Sequence, residues 1–215
     1  MLIAVVPEPL TTQATDLLDI WWIFLIAGGV VGLIVYGLLT FAIVRYRRRD
    51  DLLPPQVHQR LGIEITYTVI PFLIVVGLVV ITLGGISVTE ALADEPDVVV
   101  DVTGSQWRWE FGYQATDLTG GGDLHDVPEL VLPVDSTVRF NVTSGDVIHS
   151  FWVPGFFFKR DLIPGEVQTF DVDMGDETGT FTGKCAEFCG LEHFAMTFTL
   201  KVVSADEFAD WVEEQ

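Results

Sequence analysis

Two long runs without a charged residue dominate the first part of the chain, from Ile20 to Val44 and from Ile65 to Thr89. Each exceeds the roughly 20 residues that an α-helix needs to cross a bilayer core. The pattern therefore predicts a hairpin of two transmembrane helices, at 20–44 and 65–89.

The segment between the two runs, residues 45–64, is basic. It contains Arg45, Arg47, Arg48, Arg49 and Arg60. Because short loops rich in Lys and Arg stay on the cytoplasmic side, we expect 45–64 to be a cytoplasmic loop. The N-terminal lead, residues 1–19, and everything after residue 89 are then external.

After Glu90 the pattern changes to short alternating or β-branched runs separated by Gly, Pro and Asp, which indicates a sandwich or barrel of strands over residues 90–215. The glycines at 120–122 predict a flexible loop. Ser204 followed by Glu207 predicts the start of a terminal helix that continues through Trp211. The predicted strands cover Val98–Thr103, Trp107–Tyr113, Leu130–Pro133, Thr137–Thr143, Val167–Val172, Thr178–Thr182 and Met196–Val203.

Charge is concentrated in the external part of the 215-residue chain. The whole chain has a formal charge of −20, and residues 90–215 contain 25 Asp and Glu against six Lys and Arg, a net charge of −19. Such a surface excludes a nucleic-acid partner. It fits a protein that stays hydrated at high salt, and we expect a halophilic, haloarchaeal source; attraction of a cationic partner is the alternative.

The most specific motif begins 36 residues after His149. It reads Cys185-Ala-Glu-Phe-Cys189-Gly-Leu-Glu-His193-Phe-Ala-Met196. Thiolate, thioether and imidazole donors together suit copper, whereas a thioether is a poor ligand for zinc, magnesium or calcium. Two other interpretations remain open: a disulfide with an ordinary core Met, and a zinc site with two Cys and two His. The glycines at 183 and 190 favour a loop over a helix.

The chain resembles subunit II of the haem-copper cytochrome c oxidases over most of its length. Besides the helix pair and the Cys motif, the resemblance rests on the segments Glu64–Pro71, Gly104–Trp109, Asp146–Pro154 and Lys159–Gly165. It implies an N-terminal transmembrane α-helical hairpin followed by an all-β, cupredoxin-like Greek-key barrel with a short C-terminal helix. It also implies a binuclear copper centre, CuA, in the external domain.

The resemblance assigns the metal ligands residue by residue. Cys185 and Cys189 would bridge the two coppers, and His149 and His193 would each bind one of them. Met196 would be a weak ligand to one copper and the backbone carbonyl of Glu187 a weak ligand to the other. The Glu187 carboxylate would bind Mg²⁺ or Mn²⁺ at the boundary with subunit I, a role that suits a hard oxygen donor.

The resemblance also suggests roles for three residues outside the copper motif. Trp107 would be the tryptophan through which electrons enter, Glu64 would guard the entrance of a proton path, and Asp146 would be a docking carboxylate. Each also has a simpler interpretation: Trp107 and Trp109 would pack on one face of a strand, Glu64 would be an interfacial charge, and Asp146 a turn acid. Ser105 and Arg108 depart from the family pattern. His58 and His125 match no motif, and we expect both at the surface.

These features predict the CuA-bearing subunit of a terminal oxidase in the cell membrane. It would take electrons from a soluble carrier, cytochrome c or a blue copper protein, and pass them to haem in subunit I, where oxygen is reduced to water and protons are translocated. Subunit III is a further expected partner. The alternatives are a CuA-bearing nitric oxide reductase subunit and a membrane-tethered copper carrier; a quinol oxidase subunit is disfavoured because all copper ligands are present.

Overall fold

The computed structural model describes residues 6–48, 55–114, 119–122 and 126–214. The chain divides into two compact units, one formed by residues 19–86 and the other by the residues up to 18 together with those from 87 onward. The first is the helical unit and the second we call the β-domain. His125 and Arg49 lie outside the described residues.

The helical unit consists of two helices. The helix α1 spans Thr12–Arg45 and α2 spans Leu61–Glu90. The first turns of α1 and the last turn of α2 belong to the β-domain unit. Both are long and apolar enough to cross a membrane, and almost none of their apolar stretch is buried within the protein. Two N-terminal apolar helices were predicted, and this is confirmed. Pro71 lies inside α2, not in its first turn.

Two five-stranded sheets form the β-domain. Their orders along the sheet are β3-β2-β1-β5-β8 and β4-β10-β9-β6-β7. The chain passes between the two sheets several times, and parallel pairs, β1 with β5 and β4 with β10, occur in each. The strands are β1 Val98–Ser105, β2 Arg108–Tyr113, β3 Thr119–Gly122, β4 Glu129–Pro133, β5 Thr137–Ser144, β6 His149–Trp152, β7 Lys159–Leu162, β8 Gln168–Asp173, β9 Gly179–Cys185 and β10 Thr197–Val203.

Three local predictions are corrected. The glycines at 120–122 belong to strand β3, which pairs with β2; a side chain on Gly122 would clash with the backbone oxygen of Asp126, so only glycine fits there. Trp107 is not in a strand with Trp109, because Gln106 and Trp107 form the two-residue turn between β1 and β2. Strands β6 and β7 were not predicted, since each has only four residues and no alternating pattern.

Aromatic rings fill the space between the sheets. Phe151 stacks on Phe198 with centroids 5.0 Å apart, and Phe140 stacks on Phe170 at 5.1 Å. Trp109 meets Phe151 and Phe198 edge-on. Such arrangements add to the stability that burial of the rings already provides.

The residues around the start of α1 are bonded to the β-domain, and we call residues 10–14 the N-terminal strap. Leu10 is buried; its N–H donates to Gly155 O and its C=O accepts from Gly175 N–H. The Gln13 amide donates to the Asp173 carboxylate and accepts from the Asp173 N–H. Residues predicted as an external lead are therefore part of the β-domain fold.

The predicted terminal helix is present as α3, Ala205–Glu213, and Ser204 and Glu207 form its capping box. Its Phe208 and Trp211 rings pack against Tyr113. Because Ser204 and Glu207 satisfy N–H groups that the first turn leaves open, this boundary was readable from the sequence.

Candidate metal centre

Two adjacent strands bring the ends of the Cys motif to His149. Strand β6 begins at His149 and pairs with β9, which ends at Cys185, in a register that places Phe151 opposite Cys185. The loop from 186 to 195 then returns to β10, and the Cys185 N–H donates to Met196 O at 2.9 Å. This pairing explains how a histidine 36 residues upstream reaches the loop.

Six donor atoms lie close together at this point. His149 Nδ1 is 3.8 Å from Cys185 Sγ, the two Sγ atoms are 3.8 Å apart, and His193 Nδ1 is 3.7 Å from Cys189 Sγ. Met196 Sδ is 3.8 Å from Cys189 Sγ, and the Glu187 carbonyl oxygen is 3.2 Å from Cys185 Sγ. Metal bonds to sulfur and nitrogen are about 2.0–2.3 Å long, so ions fit between these donors.

Both cysteines are buried free thiols. Burial opposes ionisation of Cys185, but its hydrogen bonds with His149 and with the backbone of Glu187 and Ser150 outweigh burial and lower its pKa. Burial and the neighbouring Cys185 sulfur raise the pKa of Cys189. The two thiols therefore differ in acidity, and a metal ion that binds both as thiolates would displace their protons.

Asp146 fixes the orientation of the fully buried His149 ring. Its Oδ1 lies 2.9 Å from His149 Nε2, while its oxygens also accept from the backbone N–H groups of Gln106 and Val147. Burial alone would lower the pKa of His149, yet hydrogen bonds with Cys185 and Asp146 raise it. A carboxylate on Nε2 leaves Nδ1 facing the sulfur, as in many metal sites.

Trp109 lies beneath the centre. It is completely buried, its ring lies edge-on to His149 at 6.4 Å, and its Nε1 donates to Met196 O at 3.5 Å. We did not predict this contact from the sequence; the alternating pattern of β2 indicated only that Trp109 faces the core.

The Glu187 side chain lies beside Lys159. Its carboxylate is about half exposed and lies 3.9 Å from Lys159 Nζ. The structure therefore places the Glu187 carbonyl at the centre and leaves its carboxylate available to another partner.

Glu64 is in the helical unit and is not part of this cluster. In the first turn of α2, its Oε1 accepts from the backbone N–H of Arg60 at 3.0 Å. This contact is a helix cap, which agrees with a local role for the carboxylate. His58 is exposed, as predicted.

Comparison with known proteins agrees with this arrangement. Family models described as "Cytochrome C oxidase subunit II, transmembrane domain" and "Cytochrome C oxidase subunit II, periplasmic domain" match residues 5–84 and 120–203. A probable cytochrome c oxidase subunit 2 of Streptomyces avermitilis is 36% identical over 249 residues, which cover 97% of this chain and 77% of that protein.

Two solved structures share the β-domain. The periplasmic domain of subunit II of the Bradyrhizobium japonicum cytochrome oxidase is 34% identical, with a TM-score of 0.51 over 57% of this chain and 96% of that domain. A subunit II domain caught in a mixed disulfide with a thioredoxin-like protein has the same identity and TM-score, over 58% and 95% of the two chains.

These matches confirm the predicted fold, with two N-terminal helices and a cupredoxin-like β-domain. They also place the chain in the membrane with its β-domain on the extracytoplasmic side, as the basic loop indicated. Nothing in them bears on a halophilic source, which stays a prediction. From its two matched domains and its likeness to full-length relatives, the chain belongs to the cytochrome c oxidase subunit II family.

Proposed function

We propose that this subunit relays electrons within a haem-copper oxidase, from a soluble carrier to haem in subunit I, where oxygen is reduced to water and protons are translocated. The observation that carries the proposal is the convergence of two unbonded thiols, two imidazoles and a thioether in one buried cluster. Sulfur and imidazole donors gathered in this way suit copper.

The arrangement suits two copper ions better than one. Each histidine approaches a different cysteine, His149 toward Cys185 and His193 toward Cys189, and the sulfurs lie side by side. Cys185 and Cys189 would hold both ions, and His149 and His193 would each hold one. When bound, this CuA centre would supply a one-electron acceptor and donor. Met196 and the Glu187 carbonyl would be weaker ligands.

The chain itself fixes the orientation of these donors and shields them from water. Asp146 orients His149, Trp109 and the Cys185 N–H hold Met196 O, and the cysteines are almost fully buried. Ligands that cannot relax need little rearrangement when charge changes, and fixed contacts around a metal site maintain its properties.

Several finer assignments accompany this proposal. The half-exposed Glu187 carboxylate is available to bind Mg²⁺ or Mn²⁺ at the boundary with subunit I, with Lys159 as its present counter-ion. Trp107, half-buried against the Cys loop, receives the electron. Glu64 serves a proton path at the cytoplasmic end of α2, in addition to capping that helix.

The partners follow from the same reasoning. They are subunit I, subunit III, and a soluble donor that is a cytochrome c or a blue copper protein; the acidic charge excludes nucleic acid. The named relatives favour the oxidase over a nitric oxide reductase subunit or a copper carrier.

A thioredoxin-like partner is also expected, because a similar domain has been captured in a mixed disulfide with one. Neighbouring thiols in an oxidising compartment tend to form a disulfide. A thiolate of the partner would attack that bond, release one cysteine, and leave a mixed disulfide that its second thiol resolves. Cys185 and Cys189 would then be free for copper.

The test is metal analysis and electron paramagnetic resonance on the purified full chain. We expect two coppers per chain sharing one unpaired electron, and loss of that signal in Cys189→Ser and His193→Ala. His58→Ala, at an exposed histidine, is the matched control and should retain it. A colourless chain with zinc or no metal would rule out the proposal.

A further inference from the structure

The turn between β1 and β2 lies between the two segments that carry the metal donors. Gly145 N–H donates to Gly104 O at 3.0 Å, which joins the end of β1 to the turn that precedes His149. On the other side, the turn meets the Cys loop at Cys189 and Gly190. Gln106 and Trp107 are the two residues of this turn.

Gln106 is hydrogen-bonded in both directions. Its backbone N–H donates to Asp146 Oδ2 at 2.7 Å, and the other oxygen of Asp146 contacts His149 Nε2. Its side-chain Nε2 donates to Cys189 O, also at 2.7 Å. One residue outside the ligand set therefore bridges the His149 segment and the Cys loop.

Trp107 rests on Gly190 of the same loop. Gly190 has φ of +123°, and a Cβ there would lie 3.2 Å from Trp107 Cζ2 and 3.0 Å from Gln106 Nε2. The positive φ favours glycine at this position, and the short distances show that the indole and the Gln106 amide pack tightly against it. Trp107 Nε1 is buried and has no hydrogen-bond partner within the described part of the chain. Packing against Gly190, and not a hydrogen bond of the indole N–H, therefore keeps the ring in place.

We propose that Gln106 is a positioning residue that keeps Trp107 against the Cys loop. The inference rests on the proposed function, in which Trp107 receives the electron. The side-chain amide of Gln106 donates to Cys189 O and so ties the turn that carries the indole to the loop on which the indole rests. A fixed donor-to-acceptor geometry is what makes a transfer step fast and reproducible.

The test uses the full chain in detergent, labelled with ¹⁵N at tryptophan, and compares Gln106→Leu with Gln114→Leu. Gln114 is an exposed glutamine at the opposite end of β2 from the turn, and its side chain donates to Asp101. In copper-free chains we expect the Trp107 indole N–H to exchange with solvent about tenfold faster in Gln106→Leu, the factor that loss of one neutral hydrogen bond represents. Gln114→Leu should leave the rate unchanged.

Copper-loaded chains give the second measurement. In Gln106→Leu the copper resonance should match that of the parent, because every ligand is present, while electron uptake from a reduced protein donor should fall several-fold. Gln106→Glu is isosteric with glutamine, but an ionised glutamate cannot donate to Cys189 O. This variant should therefore behave like Gln106→Leu, which would show that the effect does not come from the packing of leucine.

Two results would overturn the inference. Equal indole exchange in Gln106→Leu and Gln114→Leu would mean that Gln106 does not hold Trp107. Loss of the copper resonance in Gln106→Leu would mean that it maintains the metal site instead. If the parent chain binds no copper, the proposed function fails, but the exchange measurement in copper-free chains still decides the role of Gln106.

Discussion

At the scale of single residues, a few buried polar groups tie distant segments together. Tyr113 is an example: its hydroxyl donates to Val131 O and accepts from Val131 N–H, both at 2.9 Å. Val131 lies in β4, which within the described residues is an edge strand that pairs with β10. The phenol thus satisfies a backbone unit that would otherwise lack partners in the interior.

Tyr113→Phe should destabilise the β-domain by about 1–3 kcal/mol, since it leaves two buried backbone groups unpaired. Burial raises the pKa of Tyr113 well above its usual value of 10. The neutral phenol is thus the folded form, so its contribution is complete below pH 10 and is lost as pH rises through the raised pKa. Chemical unfolding at pH 7 and above pH 10 measures both effects.

Tyr46→Phe, at an exposed tyrosine, is the control for that substitution. Equal unfolding free energies for the two variants would contradict the role given to the Tyr113 hydroxyl.

At the scale of elements, the N-terminal strap and the end of α2 are both attached to the β-domain. Arg160 donates to Thr89 O and pairs with Glu90, and its guanidinium lies over the Phe158 and Phe170 rings. Arg139 binds the buried Asp171 and Ala93 O, and Asp171 accepts from Ala93 N–H. Residues 10–14 and 89–93 are therefore bonded to the rest of the β-domain.

Leu10→Ala tests the strap. Removing a buried leucine side chain should cost about 2–5 kcal/mol of unfolding free energy, and Leu92→Ala, at a side chain 52% exposed, should cost far less. Thermal unfolding of both variants in detergent provides the comparison.

Gly155→Ala sharpens the test, because a Cβ there would lie 2.6 Å from Leu10 Cγ. Combined with Leu10→Ala, which removes the clashing atoms, Gly155→Ala should cost less than it does alone. Strict additivity of the two substitutions would show that the strap does not occupy this position in solution.

At the scale of the whole molecule, charge is separated from apolar surface. Most of the exposed large apolar side chains lie in the two helices, and almost all of the negative charge lies in residues 90–215, whose net charge is −19. Among the described acids of that domain, Asp171 is buried and most others are exposed. Self-repulsion among the exposed acids opposes the compact state.

Salt should therefore stabilise the protein. The Debye length falls from about 10 Å at 0.1 M to about 3 Å at 1 M ionic strength, which removes most of the repulsion. We expect the unfolding temperature of the full chain to rise with KCl over this range, and an unchanged or falling temperature would contradict the halophilic interpretation. If the charge serves docking, electron uptake from a cationic donor should instead slow as salt rises.

The sequence by itself determined whatever depends on neighbours within a few residues or on residue type. Long apolar runs predicted α1 and α2, and Ser204 and Glu207 predicted the start of α3. The Cys motif together with His149 identified the candidate metal donors. These signals are local: a helix cap acts within one turn, membrane insertion depends on a continuous run, and donor chemistry belongs to the side chain.

Only the tertiary structure decided how distant segments meet. It made the glycines at 120–122 a strand, put Trp107 in a turn, placed Leu10 against Gly155, and linked Gln106 to both Asp146 and Cys189. Each of these depends on a partner that is remote along the chain, such as Asp173, 160 residues from Gln13. Backbone pairing and close packing do not depend on distance along the sequence, so a local sequence pattern cannot predict these contacts.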